Sequence, residues 1–190
     1  MHFLLLICLI LSPSLIFAQV SHRIDAETQL ESWKLEDNGM ELELIQRLPD
    51  QSRAFFQGRG FTSKIADKIS KSCIFQVIAR NSKEKEKGLP ITIRLQDWQV
   101  VFNKQTQGIK LKEAWDADWS INEVNQAARI AFRWATFPTE QTFDAGGDYN
   151  WGMMSIGLTP GDKFALKVNW KEGTQAKEQW INDLKCPIDR

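Results

Sequence analysis

Residues 151–170 read WGMMSIGLTPGDKFALKVNW, and this stretch decides the fold. In its second half Phe164, Leu166, Val168 and Trp170 alternate with Lys163, Ala165, Lys167 and Asn169. A period of two with one apolar face is the pattern of a half-buried strand. The preceding WGMMSIGL reads as a second strand. Thr159-Pro160-Gly161-Asp162 joins the two. Proline fixes φ at the first central position and glycine accepts positive φ at the second, which is the signal of a type II turn.

The same period recurs outward from this hairpin. In MELELIQRL, Met40, Leu42 and Leu44 oppose Glu41 and Glu43. ITIRLQDWQVVF sets Ile91, Ile93 and Leu95 against Thr92, Arg94 and Gln96, and is long enough to need a bulge or a break into two strands near Asp97. CIFQVIARN is rich in β-branched and aromatic residues. After a turn at Gly108, IKLKEAW alternates again, and ARIAFRWATF places Ile130, Phe132 and Trp134 on one face. Gln19 to Asn38 reads as an irregular lead-in or an edge strand. Turn signals recur about every ten residues between these short strands, so the expectation is a mainly β, antiparallel β-sandwich-like domain.

Two segments depart from the strand pattern. Pro49 suits the first position of a helix that Gly58 or Gly60 can stop, and Thr62 or Ser63 can cap a second helix carrying Ile65, Ile69 and Cys73 at four-residue spacing. This predicts a short helical insertion. Thr174 to Leu184 is expected to form a C-terminal helix. No linker or repeat divides residues 19–190, which are read as a single domain.

Residues 3–17 are almost unbroken apolar, interrupted by Ser12, Pro13 and Ser14, and the small Ala18 follows. The run is short for a membrane span, which needs about 20 apolar residues. Residues 1–18 are therefore expected to be a signal peptide, although no Lys or Arg precedes the apolar run; a retained anchor is the other reading. Cys8 follows Leu6 and Ile7 rather than the small residues of a lipoprotein site. The expected destination is periplasmic or secreted, with no stable membrane span after cleavage. Charge is balanced, 24 basic against 24 acidic residues, which gives no electrostatic argument for nucleic acid. With Cys8 removed, Cys73 and Cys186 are left, and an isolated pair in an oxidising compartment is expected to form a disulfide.

The candidate sites follow from residue type. Asp144, Asp148 and Asn150 surround Gly146-Gly147 and could offer oxygens to calcium, but position 158 is Leu158 where a calcium loop needs glutamate. In the alternative reading the glycines supply positive φ and Asp148 bonds the turn backbone. Met153 and Met154 could select Cu(I), with Met40 and His22 as the other soft or imidazole ligands, but neighbouring strand residues point to opposite faces. Copper ranks above calcium as the metal alternative, and no cofactor is expected. The chain has eight tryptophans. Trp115 and Trp119 would share a face if WDADW were extended, forming with Trp151 an aromatic binding surface, while Trp134 and Trp170 are expected in the core. Arg53 and Arg59 beside Phe55-Phe56 could form a docking knob, since arginine and aromatics are enriched at interfaces.

Catalytic readings have less to build on. Signal removal leaves one histidine, and no glycine-rich phosphate loop occurs. Only a carboxylate pair, drawn from Asp116, Asp118, Asp144 and Asp148, would suit a glycoside hydrolase. The expectation is an exported, non-catalytic binding or accessory protein acting through a surface on an envelope protein or small ligand. Metal handling is the second reading and a carboxylate-type glycoside hydrolase the third.

Overall fold

A strand with one apolar face needs a second apolar surface to cover it. The computed structural model describes residues 18–120 and 122–189; residues 1–17 of the expected signal peptide lie outside them. Its strands are β1 (Gln19–Ile24), β2 (Glu31–Asp37), β3 (Met40–Gln46), β4 (Ile74–Asn81), β5 (Ile91–Arg94), β6 (Gln99–Phe102), β7 (Gln105–Gln107), β8 (Glu140–Phe143), β9 (Tyr149–Ser155), β10 (Lys163–Glu172) and β11 (Gln175–Lys185). Four helices accompany them: α1 (Pro49–Gln57), α2 (Ser63–Ser70), α3 (Lys112–Asp118) and α4 (Gln126–Ala135).

The first sheet has the order β1-β2-β3-β4-β9, with every neighbouring pair antiparallel. The second is built on β10, which pairs with β11 along one edge and with β6 and β5 along the other. β7 and β8 extend it beyond β6 and β5. Inward side chains of both sheets, among them Leu35, Leu42, Leu44, Phe75, Val77, Leu166, Val168 and Trp170, form one buried cluster. The domain is thus mainly β and sandwich-like. ITIRLQDWQVVF is two strands, separated by a 3-10 turn over Leu95–Asp97. Gly161 has φ of +90°, and the Asp162 carboxylate accepts from the Thr159 amide at 3.0 Å, as the expected turn requires.

The helices form a third layer on the outer face of the first sheet. α1 and α2 make the expected insertion between β3 and β4, with Pro49 at the start of α1 and the Thr62 hydroxyl accepting from Ile65 N. A second insertion, α3 and α4, stands where strands were expected. Phe56, Ile65, Ile69, Trp115, Trp119, Phe132 and Met153 form the core between layer and sheet. The Arg129 guanidinium ties α4 to α3, donating to the Asp116 carboxylate at 2.7 Å and to the Ser120 carbonyl at 3.0 Å. Hydrogen bonds from Arg133 first, then Arg129, hold the Asp116 carboxyl below its ordinary value.

Three sequence expectations are corrected here. ARIAFRWATF is helix α4: Ala128 and Phe132 face the core, while Ile130 and Trp134 point outward, and Trp134 is 85% exposed rather than buried. WDADW is helical over Trp115–Asp118, so four-residue spacing sends Trp115 and Trp119 into the core, at 1% and 5% exposed. The expected C-terminal helix is strand β11, hairpin-paired with β10. Its Ile181 and Leu184 have helix-like spacing, but the register shifts between Phe164 and Leu166, and Asp183 takes φ of +58°. This irregularity returns both side chains to the buried face.

Two buried links help to join the sheets. Cys73, just before β4, and Cys186, just after β11, lie at disulfide distance, with S–S 1.95 Å and Cα–Cα 5.0 Å. Fully buried Asn81 at the end of β4 donates to the Phe143 carbonyl of β8 at 3.1 Å and to the Leu89 carbonyl at 3.0 Å.

A crosslink closing a loop of 113 residues should stabilise the domain by about 4–5 kcal/mol through the unfolded chain. Urea melts with and without a reductant, or of Cys73→Ala/Cys186→Ala, should show a loss of that order. A second expectation concerns acid. Because the folded-state pKa of Asp116 is lowered, its contribution is present above the unfolded carboxylate pKa and is lost as pH falls through the folded value. Asp116→Asn should therefore be less stable than the parent at pH 7, with the gap closing towards pH 2 in urea titrations.

Candidate functional site

The helical layer covers only part of the outer face of the first sheet. Where the cover ends, a groove of about 310 Å³ opens between α1, α4 and strands β4 and β9. α1 contributes Ser52 and Phe55, three positions apart on one helical face, and Arg59 just beyond its end. α4 contributes Ala131, Trp134 and Ala135, again at helical spacing. Gln76, Trp151 and Met153 come from the sheet, where Gln76 is the direct partner of Met153. Arg47 lies one residue past β3 and completes the lining with Gln51.

Two tryptophans flank this groove in the open: Trp134 at 85% and Trp151 at 59% exposed. Tyr149, two residues before Trp151 on the same face of β9, extends the aromatic strip, with the Arg80 guanidinium 5.2 Å from its ring centre. The Arg59 guanidinium lies 3.3 Å from the centre of the Phe55 ring and donates to the Phe55 carbonyl. Arg47 hydrogen-bonds Gln76. The lining contains two arginines and no carboxylate.

Close backbone packing sets the position of α4. The segment leaving it runs against β9, where Thr136 bridges Met153 in parallel and Phe137 N donates to the Met153 carbonyl at 2.9 Å. Gly152 permits this approach, since a Cβ there would lie 2.4 Å from Phe137 N.

The sequence candidates divide clearly. Trp151 and Arg59 come together at the groove, joined by Trp134, which the sequence reading placed in the core. Trp115 and Trp119 are buried, so the platform expected on them does not exist as a surface. Arg53 belongs elsewhere: it pairs with Asp50 and, at 3.2 Å, with Asp67. Met153 packs under the helices and Met154 between the sheets, on opposite faces of β9. Met154 shares a ladder row with Phe75 and Gln46, whereas Met40 pairs with Asn81, six residues further along. At about 3.3 Å per residue they are roughly 20 Å apart. His22 stands in edge strand β1, its ring stacked 4.7 Å from Trp33 and bonded to Glu31 at 2.9 Å.

Asp144 and Asp148 shape the turn into β9. Gly146 and Gly147 have φ of +110° and +91°, and Asp148 accepts from the Asp144 amide at 3.2 Å. Asn150 donates to the Gln141 side chain at 2.6 Å. Asp116 pairs with two arginines and Asp118 with Lys110 at 2.7 Å, and hydrogen bonding by these cations lowers both carboxyl pKa values. These acids are held ionised on α3, and neither lines the groove.

If Gly152 sets the seat of α4, Gly152→Ala should force the segment at Phe137 away from β9. The expected cost is about 1–3 kcal/mol, as for other overpacked sites, measured by urea denaturation.

No protein-family model, no curated protein and no solved structure matches this chain.

Proposed function

We propose that this is an exported, non-catalytic binding protein whose working surface is the groove between α1, α4 and β9, and whose ligand is a small molecule with an apolar body. The observation that carries the reading is the exposure of Trp134 and Trp151 on two different elements, facing one apolar groove. Large exposed aromatics beside a cavity cost solvation and do nothing for the core, so they point to a contact made outside the chain. The size supports a small ligand: 310 Å³ is at the lower end of the range for such sites, about 300–1,000 Å³. Export is supported by the apolar leader with Ala18 and by the cysteine pair at disulfide distance, since such bonds persist in oxidising compartments. Among the described residues no helix is long and apolar enough to cross a membrane.

A neutral fluorescent probe, N-phenyl-1-naphthylamine, tests the reading. It should bind one to one, and Trp134→Ala and Trp151→Ala should each weaken it roughly 3- to 10-fold, the order of a lost aromatic contact. Both residues are exposed, so circular dichroism should be unchanged. Trp180→Ala, on β11 and away from the groove, should bind as the parent does. Absence of binding, or equal affinity in the Trp134/Trp151 double variant, would overturn the proposal.

A further inference from the structure

The polar residues of the groove carry a second message. Among the described residues, Arg53, Arg94, Arg129 and Arg133 each pair with a carboxylate. Arg47 does not, although it is half-buried: its side chain bonds only the neutral Gln76. A partly desolvated guanidinium is stabilised when an anion accepts from its planar fork, and Gln76 can occupy only part of that fork. Close by in sequence, Ser52 is 2% exposed and its hydroxyl has no hydrogen-bond partner among the described residues. Buried hydroxyls are ordinarily satisfied, so an unpartnered one in the wall of a groove marks a place for a ligand atom. Arg59, also without a carboxylate partner, adds a second positive charge to the rim, and no acid in the lining offsets it.

We infer that the groove binds a small amphipathic carboxylate, its apolar body held between Trp134 and Trp151 and its carboxylate read by Arg47 and the Ser52 hydroxyl. This rests on the groove being a ligand site and adds the chemical class of the ligand. Charge complementarity selects an anion: two arginines without a carboxylate partner among the described residues favour one carboxylate and disfavour an amine. The volume suits a free small molecule.

Three probes of one shape separate the possibilities: 4-phenylbutyrate, 4-phenylbutanol and 4-phenylbutylamine, titrated calorimetrically at fixed ionic strength. The carboxylate should bind at least 10-fold more tightly than the alcohol, and the amine more weakly than either. Arg47→Gln should bring the carboxylate-to-alcohol ratio close to one, and Arg47→Lys should restore part of it, which a purely structural role for Arg47 would not produce. Ser52→Ala should lower the carboxylate affinity without enlarging the groove appreciably. A parent ratio below twofold, or a ratio unchanged by Arg47→Gln, overturns the inference. If the neutral naphthylamine still binds in that case, the groove remains a ligand site and only its anion selectivity falls. If no probe binds, both readings fall together.

Discussion

Successive side chains of a strand point to opposite faces, and in β9 both faces are buried. Met154 enters the core between the sheets while Met153 enters the core beneath the helices. β4 does the same with Phe75 on one side and Ile74 on the other. Two-sided burial on this pair of strands, at one end of the first sheet, requires cover on both faces, and this makes the architecture three layers rather than two. The second sheet supplies one cover. Two helical insertions, separated in sequence by β4 to β7, supply the other. They do not reach the whole face: further along the same strands Trp151 and Tyr149 stand in the open. The groove lies at that boundary.

The layers are held at few points with long reach in sequence. The Cys73–Cys186 pair and Asn81 both attach β4 or its flank to the second sheet. The close passage of Phe137 over Gly152 attaches the end of α4 to β9. Groove geometry depends directly on this last contact, since Trp134 is three residues before Phe137. A site assembled from α1, α4, β4 and β9 is positioned by packed elements rather than by a loop. Such placement suits recognition by shape and by a few fixed polar groups.

Three of the four acids that a catalytic reading would draw on have partners of their own. On α3, Asp116 is paired with arginines of α4 and Asp118 with Lys110, and Asp148 closes the turn before β9. The potential metal ligands are likewise dispersed: Met153 and Met154 back to back, Met40 some six ladder rows away, His22 on the edge strand. Adjacent methionines in a strand are separated by the strand itself. What the fold does bring together are aromatic faces and two arginines with no carboxylate partner among the described residues, residue types enriched at interfaces.

From its sequence alone the chain determined the sandwich, the first helical insertion, the tight turn at Pro160-Gly161 and the pairing of Cys73 with Cys186, because each rests on local pattern or on elimination. Glu41 and Glu43 stand between Met40, Leu42 and Leu44, and Lys163, Lys167 and Asn169 alternate with Phe164 to Trp170, so only a period of two leaves one face apolar. The second insertion and the last strand were decided only in three dimensions. Positions i and i+4 share a face in a strand and in a helix, so Ile130 and Trp134 fit both patterns, and only Phe132, on the other side of the helix, separates them. Trp115 and Trp119 carry the helical spacing that would have given them away, as the Asn125 cap of α4 would have done. Ile181 and Leu184 stand three positions apart on one face of a strand, because an irregular residue in β11 shifts the register. Tertiary packing also decided the groove: whether Trp134 is core or surface depends on where α4 ends against Gly152, and no neighbour in the chain records that contact.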